Sequence, residues 1–228
     1  GVMEARATCA GAYYYQLRRS EEPRRKESDV KSNQAAVGVV EHGNSAVLVT
    51  VSAAGELLDR RRVDLTYGLP THPHHHEGSW AVGRYLKSGW SRPISLAEAV
   101  ALVARVHEAA EQGARECLEA IAASVPVPIS RIAIRVCPSL PATTEERIAD
   151  TRAASVADSA MYRQALASAA EARGWTVSWY DREQVFREAT DVLGRDVNEV
   201  LATMGRSVGP PWQAKHKLAA AAAIAAQR

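Results

Sequence analysis

From residue 35 the chain turns apolar in short bursts. "AAVGVVEHG" (35–43) and "NSAVLVTVSAAGELL" (44–58) are rich in β-branched residues, and "DRRRVDLTYG" (59–68) alternates charge with Val63 and Leu65. Runs of this kind, parted by short turns at His42-Gly43-Asn44 and Ala53-Ala54-Gly55, predict three strands in an antiparallel meander. The first is apolar on both faces until Glu41, which predicts a central strand.

The period changes after residue 94. Leu96, Val100, Val103, Val106 and Ala110 fall on one stripe of a helix predicted over 95–124, and Ser95 with Glu98 makes a capping box at its start. "PVPISRIAIRVCPSLP" (126–141) is a strand between prolines, its centre from Ile132 to Val136 broken only by Arg135. Residues 143–174 predict one long helix stopped by Gly174, and "WTVSWYD" (175–181) a fifth strand. "REQVFREATDVLG" and "RDVNEVLATMG" read as short helices, and a closing helix starts at the pair Pro210-Pro211. The order is β-β-β-α-β-α-β-α. It predicts an α/β domain with a mixed five-stranded sheet, flanked by helices and parallel in its second half.

Residues 1–34 have another character. After Tyr13 to Tyr15, the tract "QLRRSEEPRRKESDVKSNQ" holds six basic and four acidic residues and almost no aliphatics. It is expected to be a flexible charged arm outside a single domain over 35–228, or a tether whose tyrosines stack and whose arginines meet phosphate. The chain has 228 residues, 46% of them hydrophobic, enough for one sizeable core. A formal net charge of +2 gives no whole-chain argument for nucleic acid or a membrane. Cys9, Cys117 and Cys137 lie far apart with no CxxC pair. A disulfide framework is therefore not expected, and a reducing, cytoplasmic compartment is. The sequence predicts neither a transmembrane helix nor a signal peptide.

Chemistry gathers at a few places. Glu41 interrupts an apolar strand, where a carboxylate must be paired, solvated or bound to a metal. His216 stands between Lys215 and Lys217 ahead of an alanine run. "HPHHHEG" (72–78) clusters His72, His74, His75 and His76 with Glu77. Its proline and adjacent histidines read as a mobile loop with transient metal or nucleic-acid contacts. Arg61 and Arg62 within "DRRR" suggest a basic sheet edge. No Walker loop, GxGxxG or GxSxG is present.

The element order, "VGVVEHGNSAVLVTVSAAGELL" and "HKLAAAAAIAA" together resemble the ribonuclease H-like superfamily, and within it the RuvC-type Holliday junction resolvases. The resemblance covers about residues 35–228. It implies a site of carboxylates holding Mg2+ or Mn2+. Glu41 falls where the family has its first acid, and His216 where it has a His or Asp on the last helix. Ala219 and Arg135 stand where further acids are implied. Asp181 and Asp64, ending the fifth and third strands, would restore carboxylates.

Two functions follow. The first is a metal-dependent nuclease of structured or branched nucleic acid. Glu41, His216 and Asp181 would be catalytic, and Glu41, Asp181, Asp64 and His216 would hold the metal. The second is a catalytically inactive module that binds nucleic acid or protein within a larger assembly, with Arg135 paired to Glu41. In either, Lys215, Lys217, Arg135, Arg61 and Arg62 are the expected nucleic-acid contacts, and the resemblance implies a homodimer.

Overall fold

The computed structural model describes residues 34–84 and 93–228. The expected arm falls outside them except for Gln34, whose carbonyl accepts from the Ala53 amide. Five strands form one sheet: β1 (Ala35–His42), β2 (Ser45–Ser52), β3 (Leu57–Asp64), β4 (Ile129–Arg135) and β5 (Thr176–Tyr180). Their spatial order is β3-β2-β1-β4-β5. The first three pair antiparallel, and β4 runs parallel to both β1 and β5. The mixed five-stranded sheet and its central first strand are as the sequence predicts. The tight β1–β2 turn works because Gly43 takes φ +58°, a region other residues enter at a cost.

Helices are numbered in chain order as α1 (His75–Arg84), α2 (Leu96–Ser124), α3 (Thr144–Ala149), α4 (Thr151–Ala172), α5 (Val185–Leu193), α6 (Val197–Val208) and α7 (Ala214–Ala225). Side chains alternate across a strand, so the sheet has two differently covered faces. Val37, Val39, Ala46 and Leu48 pack with α2 and α4. Ala36, Val47, Val49 and Ala133 pack beneath α5, α6 and α7 on the other side. The alanine run of α7 has a packing reason. A Cβ on Gly38 would overlap the Ala219 carbonyl and the Ala223 amide, so helix and strand backbones nearly touch.

Four sequence expectations need correction. The helix over 143–174 is two helices, because Asp150 turns extended and its carboxylate caps the second through the Arg152 and Ala153 amides. The closing helix starts at Ala214 rather than at the prolines. The stripe of α2 runs through Ala99, Val103, Val106, Ala110 and Ala114, and Leu96 is exposed. The histidine loop is ordered: α1 is wound as a π-helix, with Ser79 bonded to the carbonyl of His74 five residues back. The Ser95–Glu98 capping box is present as expected.

Candidate functional site

Glu41 sits near the carboxyl end of β1. The register aligns it with Ala46, and Ala46 with Val63, so all three face α2 and α4. His42, Ser45 and Asp64 are likewise aligned and face α7. The strand's last apolar residue toward α7 is therefore Val40, not Glu41. On its own face Glu41 meets Arg163 of α4. Oε1 accepts from Arg163 Nε at 2.8 Å and from Nη2 at 2.5 Å, and Nη1 donates to the Val136 carbonyl at 2.7 Å. The two side chains are only 5% and 7% exposed. A carboxylate this buried requires a partner, and the guanidinium supplies it. The pairing expected with Arg135 is thus made by Arg163 instead.

On the α7 side, a cavity of about 360 Å³ opens at the carboxyl ends of β1, β4 and β5. The β1–β4 ladder ends at Gly38 and Ala133, and the two strands part beyond it. Tyr180 bridges the gap by donating its hydroxyl to the Val39 carbonyl at 2.8 Å. Burial, and then the Glu41 carboxylate, push that hydroxyl well above its usual pKa, while Arg135, Arg163 and Arg182 act the other way. Arg135, Arg182 and Lys215 line the cavity beside His42 and the edge of Glu41, over an apolar wall of Phe186 and Leu218. In open α/β sheets, the crevice where neighbouring strands part at their carboxyl ends is the usual ligand position.

His216 does not reach Glu41. It is buried on α7, its Nδ1 accepts from the Gln213 amide at 3.1 Å, and its ring stacks on Trp212 at 5.8 Å between centroids. Burial, then the nearby Arg60, lower its pKa. The same Arg60 donates to the carbonyls of Gly209 and Pro211, so this end of α7 is clamped onto β3. The histidine between two lysines is a helix-starting and packing residue. Lys215 lines the cavity; Lys217 is exposed and does not.

The remaining expected residues scatter. Asp64 lies on the other face of the sheet from Glu41 and is half exposed, 3.9 Å from Arg62. Asp181 is exposed and accepts from the Glu183 amide. Arg61 is held by Asp59 at 2.7 Å and by Ser124. Arg62 lies on the α7 face of the edge strand, 3.4 Å from Ser45 Oγ. Among the described residues, no group of three or more His, Cys, Asp or Glu side chains is placed to hold a metal ion. Mg2+ needs several hard oxygen ligands, whereas Glu41 is neutralised by Arg163 and its surroundings are cationic. The donor set does not fit Mg2+ or Mn2+.

The histidine cluster has a different centre. His74 is 1% exposed and gives both its amide (3.0 Å) and Nδ1 (2.8 Å) to one oxygen of Asp158 on α4, with His72 3.7 Å from the other oxygen. Asp158 thus fixes the start of α1. Burial, then neighbouring His76, lower the His75 pKa, and burial raises that of Glu77.

Arg163 and Arg182 were not foreseen from the sequence. Arg163 left a signal: a charge on the otherwise small, apolar stripe of Ala160 and Ala167. Arg182 left none, being one charge in an exposed turn.

The chain therefore has an α/β fold with a mixed five-stranded sheet, helices on both faces and a cationic cleft at the carboxyl ends of its central strands. No family model matches it, and no curated protein does. Among solved structures, it is similar to RuvC of Thermus thermophilus in complex with a Holliday junction substrate, at 16% identity over 84% of this chain and 91% of that one, with a TM-score of 0.46. A second Thermus thermophilus RuvC structure is 17% identical over 84% and 92% of the two chains, with a TM-score of 0.42. Among the described residues, no helix is long and apolar enough to cross a membrane.

Proposed function

We propose that this chain is a ribonuclease H-like module that binds nucleic acid at the carboxyl end of its sheet and does not cleave it with divalent metal. The observation that carries this reading is the fate of Glu41. It is buried away from α7 and neutralised by Arg163, while Arg135, Arg182 and Lys215 occupy the cleft beside it. A two-metal nuclease needs a concentration of negative charge to hold its ions. A cleft with three cations around one neutralised carboxylate attracts phosphate directly. The geometry thus favours the binding module over the nuclease.

The test is one set of samples read in two ways. Four-way junction, single-stranded, duplex and RNA substrates are incubated with the full chain and Mg2+ or Mn2+. They are run on native gels for binding and on denaturing gels for cleavage. The expected result is a mobility shift with intact strands. Strand cleavage that disappears in Glu41→Gln would overturn the reading.

A further inference from the structure

We propose that the cavity between Arg135, Arg182 and Lys215 recognises a phosphate monoester at the end of a nucleic-acid strand, rather than a phosphodiester within it. This rests on the reading of the chain as a nucleic-acid-binding module and gives that site a ligand.

Charge is the first argument. Arg135 comes from the last residue of β4, Arg182 from the turn after β5 and Lys215 from the first turn of α7, so the cations approach from three elements. Among the described residues none of the three is held in an ion pair, whereas the adjacent carboxylate, Glu41, is already matched by Arg163. A phosphodiester carries one negative charge; a phosphate monoester carries about 1.5–2 at neutral pH and offers three acceptor oxygens. Three converging cations fit the second ligand, and the start of the twelve-residue α7 adds its positive dipole end on the same side.

Shape is the second. A volume of about 360 Å³ lies at the small end of ligand cavities, about large enough for one nucleotide rather than a continuous strand. Phe186 and Leu218 offer an apolar wall for the attached sugar or base. The Tyr180 hydroxyl beside them donates to the Val39 carbonyl, which leaves the recognition of phosphate oxygens to the three cations.

The test is fluorescence anisotropy at one fixed salt concentration, on one oligonucleotide made with a 5′-phosphate, with a 3′-phosphate, or with hydroxyls at both ends. One phosphorylated form is expected to bind about tenfold or more tightly than the hydroxyl form, since one charge-assisted contact is worth that much. Arg182→Gln and Lys215→Gln, both at exposed positions, are expected to abolish the preference, and inorganic phosphate to compete for it. Equal binding of all three strands would overturn the proposal while leaving nucleic-acid binding in place. A preference that survives both substitutions would also overturn it. Failure to bind any strand would overturn both the proposal and the reading beneath it.

Discussion

Arg163 holds Glu41 through two nitrogens on one carboxylate oxygen, beneath the end of the central strand and away from solvent. The pair joins α4 to β1, and through the Val136 carbonyl to the segment after β4. It neutralises the one carboxylate of the first strand and makes a structural tie.

Such a tie has a measurable signature. Removing either partner leaves a buried charge alone. Arg163→Met and Glu41→Gln are each expected to cost several kcal/mol in denaturant unfolding, about 3–5 for the arginine. The double variant should lose clearly less than the sum. Additive losses would mean that the two groups do not stabilise each other.

The close approach of α7 makes a second prediction. Gly38→Ala drives a methyl group into the backbone of α7 at Ala219 and Ala223, neither of which is a movable side-chain end. Overpacking of this kind costs about 1–3 kcal/mol or more. Thermal unfolding should show the loss, and protection of the α7 amides in hydrogen exchange should fall with it.

The Asp158 carboxylate anchors His74 through two bonds to a single oxygen. Asp158→Asn keeps the shape but weakens both, with an expected cost of about 1.5–3 kcal/mol. Because Asp158 sets the start of α1, the His74 ring resonances should shift and broaden in the variant. Unchanged spectra and stability would contradict the anchoring role.

His216 gives a pH prediction. Its folded pKa is lowered by burial and by Arg60, so the native state binds its proton less readily than the unfolded chain does. Its share of stability is therefore full above the unfolded value of about 6.5 and is lost as pH falls through the lower folded value. Denaturation midpoints of the parent should drop more steeply below neutrality than those of His216→Gln. Parallel curves would remove His216 from the pH dependence.

Much of the fold was legible. β-branched runs marked β1 and β2, the Ser95–Glu98 box marked the start of α2, and a closing helix was expected where α7 lies. The site was less so, and the reason is periodicity. Val40, Glu41 and His42 alternate between faces, and only the pairing register fixes which of them meets α7. The family resemblance, not any local pattern, made Glu41 and His216 expected neighbours. In the fold they stand on opposite sides of the sheet. The break at Asp150 and the burial of His74 depend on partners distant in sequence, and no local pattern announces them.

The most direct test of the central claim is Mn2+ binding, followed by electron paramagnetic resonance on the full chain and on Glu41→Gln. With Glu41 neutralised by Arg163 and cations filling the cleft, the two proteins should bind Mn2+ alike, with no saturable site that depends on Glu41. A stoichiometric Mn2+ site in the parent that Glu41→Gln abolishes would contradict the account and return the chain to the metal-dependent nucleases.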